Sequence, residues 1–170
     1  MTTGMNTGGG SREAADAAGN TSKQYSTFFV EGLFFGVEVL RVQEVIRYQE
    51  MTRVPLAPEV IEGLINLRGQ IVTAIDMRQR LGLPCRPAGR TPLNMVVRSQ
   101  DGVVSLLVDE IGDVVEVQND TFELPPDNVR GVTRELITGV HKLKDRLLLV
   151  MDTEKAIDLD ITGDPLATAA

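Results

Sequence analysis

The chain has 170 residues, 42% of them hydrophobic and 24% charged, with a formal net charge of −7. Such a composition suits a soluble globular domain, and its acidic balance would repel a phosphate backbone, which excludes nucleic-acid binding without a local basic patch. With Cys85 as its single cysteine it can form no internal disulfide, and no apolar run approaches the length of a membrane span.

Residues 1–23 are mostly Gly, Ala, Thr and Asn with few large apolar groups. They cannot bury enough surface to offset their ordering entropy, so a disordered tail is expected. The segment lacks the apolar middle of a signal peptide, and the expected location is the cytoplasm. Ordered structure should begin with a hairpin, Tyr25–Val30 and Leu33–Val39 flanking Glu31-Gly32. From Val39 the apolar period changes. Val39, Val42, Val45 and Ile46 follow helical spacing, which predicts a helix of one to two turns through VLRVQEVIR. On residue type alone, Val42 and Val45 read as core. Pro55 and Pro58 end regular structure there.

Next comes IEGLINLRGQIVTAIDMRQRLGL, Ile61 to Leu83. Two short apolar strands flank an Arg68-Gly69 turn, and Asp76 has the place and chemistry of a helix N-cap. Leu81-Gly82 ends that short helix, with Pro84 beyond it. The arginines that follow, Arg78, Arg80, Arg86 and Arg90, read as a solvated face rather than a nucleic-acid groove. A second lobe opens with Leu93–Arg98 and Val103–Val108 around Asp101-Gly102, a strong hairpin signal. After an irregular stretch containing Pro125-Pro126, Ile137 to Asp152 reads ITGVHKLKDRLLLVMD, and Thr153–Leu159 predicts a terminal helix.

That late stretch repeats the earlier one at an offset of seventy-six. Gly63 meets Gly139, Leu67 meets Leu143, Arg68 meets Lys144 and Asp76 meets Asp152. A second echo, at an offset of sixty-nine, sets Val39, Val42, Glu44 and Val45 against Val108, Ile111, Asp113 and Val114. A duplication predicts two similar lobes packed together. Short strands with tight turns predict a mainly β fold of two small barrels. The unequal offsets assign Asn119–Thr133 as an insertion in the second copy. Gly63 and Gly139 mark either bulges or close approaches of another backbone.

Chemistry is sparse. His141 is the sole histidine, and neither it nor Cys85 has partners at catalytic or metal-ligand spacing. The Gly8-Gly9-Gly10 run lacks the Lys-Ser/Thr of a phosphate loop, and Asp109, Glu110 and Asp113 lack the spacing of a calcium loop. No catalytic residue, metal site or cofactor is expected. Glu44 and Arg68 remain as a polar pair in apolar surroundings. The residues alone favour an exposed pair contributing about 0–1 kcal/mol over an oriented binding edge.

The segments VLRVQEVIR, INLRGQIVTAIDMRQRLGL, LLVDEIGDVVEV and LITGVHKLKDRLLLVMDTEKAI resemble the chemotaxis coupling protein family, CheW, from about Tyr25 to Leu159. The resemblance implies two five-stranded SH3-like barrels in a domain over 24–160. Barrel boundaries are expected at roughly 25–92 plus the C-terminal helix, and 93–150, with a flexible tail over 161–170. It also implies a non-enzymatic scaffold that joins the cytoplasmic tips of methyl-accepting chemoreceptors to the regulatory domain of the histidine kinase CheA at receptor arrays, without inserting into the membrane itself. Partner binding would fall to Glu44 and Arg68, with Val42, Val45 and Gly63 near the same surfaces. Thr73 departs from the family, which commonly has Pro there. The alternatives are a coupling protein of a parallel chemosensory pathway, for surface motility or another output, and a small-ligand-binding β-barrel.

Overall fold

The computed structural model describes residues 21–159. The expected terminal tails therefore lie largely outside the described residues. Ser22 and Lys23, assigned to the N-terminal tail, instead begin a strand.

Among the described residues, eleven strands form two sheets. The first repeat supplies β1 (Ser22–Val30), β2 (Leu33–Glu38), β3 (Val42–Ile46), β4 (Ile61–Leu67) and β5 (Gln70–Asp76). The second supplies β6 (Leu93–Ser99), β7 (Gly102–Val108), β8 (Glu110–Gln118), the two-residue β9 (Phe122–Glu123), β10 (Ile137–Lys142) and β11 (Leu147–Met151). Three short α-helices accompany them among the described residues, besides two 3-10 turns: α1 (Met77–Arg80), α2 (Gly131–Leu136) and α3 (Thr153–Ile157). The terminal sheet has the order β8-β1-β2-β11-β10-β9, and the central sheet β3-β6-β7-β5-β4.

Apart from the extra β9, the two orders match strand for strand, but the repeats have exchanged hairpins. The β1–β2 hairpin of the first repeat pairs with β8 and β11 of the second, and the β6–β7 hairpin pairs with β3 and β5 of the first. The expected boundaries, 25–92 plus the C-terminal helix and 93–150, are therefore redrawn, because each sheet takes strands from both repeats. Turn residues fix each hairpin locally, whereas the parallel pairs β2–β11 and β5–β7 join strands distant in sequence and form only when both halves are present. One core cluster crosses both sheets, with Phe28, Phe35 and Leu149 from one and Met95, Leu106 and Ile75 from the other. Neither sheet buries its apolar face alone.

The expected helix over VLRVQEVIR is replaced by a 3-10 turn at Val39–Arg41 followed by β3. The reason is a bulge. Val42 pairs with Val97 and Glu44 with Val96, so Gln43 is an extra residue in the strand. A bulge stretches the strand period from two to three, which imitates helical spacing. The same shift occurs in β8, where Ile111 pairs with Phe28 and Val114 with Ser26.

Both Asp caps form, with Asp76 Oδ1 accepting from the Arg78 amide at 2.9 Å and Asp152 Oδ1 from the Lys155 amide at 3.2 Å. The arginines expected on a solvated face are mostly buried. Arg80 donates to the carbonyls of Ala156 and Lys155, each at 3.0 Å, where the last carbonyls of α3 need donors. Arg78 donates through Nε to both Asp109 carboxylate oxygens, at 2.9 and 3.0 Å, and pairs with Glu31. Arg86 reaches Asp109 at 3.1 Å; only Arg90 stays on the surface. Composition cannot distinguish a solvated arginine from one that ties two repeats together. No helix among the described residues is long and apolar enough to cross a membrane.

Candidate partner-binding edge

The central sheet curls until its edge strands approach each other. Glu44 stands on β3, one edge, and Arg68 at the turn closing β4, the other. Their side chains meet across the seam in a two-pronged ion pair, Arg68 Nη2 to Glu44 Oε2 at 2.9 Å and Nη1 to Oε1 at 3.3 Å. Exposure is unequal: the Glu44 side chain is 17% exposed and that of Arg68 78%. The carboxylate is anchored, and the guanidinium is presented outward in one orientation.

The turn itself is constrained. Arg68 has φ +53° and Gly69 φ +87°, the left-handed pair that suits a two-residue hairpin. Gly69 has no Cβ to resist this conformation, but Arg68 does, and a non-Gly residue there stores of order 1 kcal/mol. Asn66 Oδ1 accepts from the Gly69 amide at 2.9 Å and holds the turn. Strain kept at an exposed arginine is a reason to look for function there.

The other expected residues surround this pair differently. Val45, next to Glu44, is 41% exposed, so the core reading of it from residue type fails; Val42 is half-buried and packs against the core. Gly63 is buried on β4 at a bulge, beneath Thr52, which bridges to Leu64. A Cβ on Gly63 would lie 2.7 Å from the Thr52 carbonyl oxygen. Both readings of this glycine therefore hold together: it is a bulge and a close approach. Gly139 repeats the arrangement, with a Cβ 2.5 Å from the Glu123 carbonyl and against the Phe122 ring. Sequence reasoning missed Ile71, the second residue of β5, which is 61% exposed. Its apolar strand setting hid it, because alternation does not say which face is covered.

His141 lies at the equivalent seam of the terminal barrel. Its ring is buried between Tyr25 and Phe122, with Thr121 Oγ1 2.9 Å from Nδ1. Burial first, and the nearby Lys23 charge second, hold its pKa below the usual value. Cys85 is exposed. Among the described residues no group of three or more His, Cys, Asp or Glu could hold a metal ion.

The CheW-like domain model matches residues 24–160. The chain is 32% identical over 138 residues to the chemotaxis protein CheW of Bacillus subtilis, covering 81% of this chain and 88% of that one. It is 29% identical over 141 residues to the chemotaxis protein CheW of Klebsiella aerogenes, covering 82% and 85%. The crystal structure of the scaffolding protein TtCheW from Thermoanaerobacter tengcongensis superposes with a TM-score of 0.74 at 26% identity, covering 82% of this chain and 95% of that one.

Proposed function

We propose, because the chain belongs to the CheW-like family, that it is a non-catalytic adaptor coupling chemoreceptors to a CheA-type histidine kinase. The partners are the cytoplasmic tips of methyl-accepting receptors and the kinase's regulatory domain, at receptor arrays in the cytoplasm. The observation that carries the residue assignment is the Glu44–Arg68 pair, an anchored carboxylate holding an exposed guanidinium on a strained turn. Exposed charges of this kind contribute little to folding, but at an interface they set orientation and exclude wrong partners. Val45 and Ile71 add apolar area close in sequence to the two charges, Val42 supports β3 from below, and Gly63 shapes the edge by admitting the Thr52 backbone.

Reconstituted receptor–kinase mixtures test this reading. Arg68→Ala should fold normally and lose most kinase stimulation. The exchanged pair Glu44→Arg with Arg68→Glu keeps an ion pair across the seam but reverses the outward charge. It should fold and fail to couple. Full coupling by the exchanged variant would remove these residues from the partner surface.

A further inference from the structure

The terminal barrel carries a feature that its counterpart lacks. The offsets of the two echoes differ by seven residues, and those extra residues fall between β8 and β10. Part of that longer connection, around Val129 and Arg130, walls a groove of about 640 Å³ against the β1–β2 hairpin and the β10–β11 turn. Phe29, Phe34 and Leu147 contribute apolar lining, while Arg130 and Arg146 bring guanidinium groups to it.

The Arg146 guanidinium carbon lies 4.8 Å from the Phe34 ring centre and 5.5 Å from that of Phe29, so the cation rests on a pair of rings. The two rings hold the cation in place and leave its N–H groups for an acceptor. Among the described residues no carboxylate pairs with Arg130 or Arg146, although Asp145 also lines the groove. Arg130 spends only its Nε, on the Asp127 carbonyl at 3.1 Å. In a chain with a net charge of −7, two unmatched guanidiniums beside an apolar floor form a local exception. The central barrel has Gln70 where the terminal barrel has Arg146, and Arg98 where it has Phe29.

We propose that this groove docks an extended acidic–aliphatic segment of a partner protein. Alternate side chains of an extended peptide point to opposite sides, so aliphatic groups can enter the floor while neighbouring carboxylates meet Arg146 and Arg130. The chain's net charge of −7 disfavours acidic segments overall, and the two guanidiniums offset that at this groove. The site is separate from the Glu44–Arg68 edge, so either assignment can fail without the other.

The probe is a labelled, end-blocked peptide of alternating glutamate and leucine, compared with its lysine–leucine counterpart and with vesicles containing phosphatidylserine. Fluorescence anisotropy with the full chain should show salt-sensitive binding of the glutamate peptide and none of the lysine peptide. Amide NMR shifts should cluster at Phe29, Phe34, Arg130 and Arg146. Arg146→Ala should weaken binding by about tenfold. The double variant Arg130→Glu with Arg146→Glu should prefer the lysine peptide, while thermal unfolding checks that each variant is folded. Absent binding at millimolar peptide, equal binding of both peptides, shifts confined to the central barrel, or preference for vesicles would each overturn the proposal.

Discussion

The central and terminal barrels share a strand order and differ in how they are closed. In the central barrel the seam is bridged by Thr52 with Leu64 and by the Glu44–Arg68 ion pair. In the terminal barrel the longer connection lays β9 on β10, and His141 packs beneath it against Phe122 and Thr121. Asp113 and Lys144 stand where Glu44 and Arg68 do, yet among the described residues no ion pair joins them. Duplication conserved the backbone plan while each copy solved the seam with different chemistry. One closure leaves a guanidinium exposed, and the other is buried.

The junctions between barrels show a second contrast. At one, α1 supplies Arg78 and the β7–β8 link supplies Asp109; at the other, the signs are reversed, with Glu154 in α3 and Arg41 after β2. Only the first is buried, the Arg78 and Asp109 side chains being 9% and 13% exposed. The largest expected effect follows from that difference. Arg78→Met should cost about 3 kcal/mol, the low end for a broken buried pair because Arg86 and the Glu31 amide still face Asp109. The matching Arg41→Met should cost about 0–1 kcal/mol. Denaturant unfolding of both variants measures the contrast, and equal losses would break it. Burial alone would raise the Asp109 pKa, but Arg78, the Glu31 amide and Arg86 outweigh it and hold it below the ordinary 3.8. The stabilisation is therefore present above that pH and lost as pH falls through the lower folded value. Acid unfolding should shift toward neutral pH in Arg78→Met.

Replacing the paired glycines comes next. Gly139→Ala and Gly63→Ala should each lose about 1–3 kcal/mol by overpacking, with Gly139 the larger because its Cβ would meet both a ring and a carbonyl. Melting temperatures of the two variants give the order directly.

A smaller effect concerns pH in the terminal barrel alone. The folded pKa of His141 lies below the ordinary 6.5, so the folded state binds fewer protons. Its contribution is complete above that value and declines as pH falls through the window below it. Thermal unfolding between pH 7 and pH 5 should show this slope, and His141→Asn should flatten it. An unchanged slope would mean the ring is not the titrating group. The smallest expected change is the stability of Arg68→Ala, within about 1 kcal/mol of the parent despite its proposed loss of coupling.

The sequence by itself determined the hairpins, both Asp caps and the duplication, because turns and caps depend on neighbours within a few residues. Asp76 and Asp152 cap as their spacing requires. The resemblance to a known family carried Glu44 and Arg68, and the two side chains meet in one ion pair; composition and spacing favoured only an exposed pair. Other features were misleading. The VLRVQEVIR segment reads as a helix because a bulge and a helix space apolar residues alike over so short a stretch. Arg78 and Arg80 look like surface charges because their partners, Asp109 and the carbonyls of α3, are far along the chain. The tertiary structure alone decided the exchange of hairpins between repeats and the burial of those arginines. Both depend on contacts between residues remote in sequence, where the local pattern is the same whichever partner is chosen.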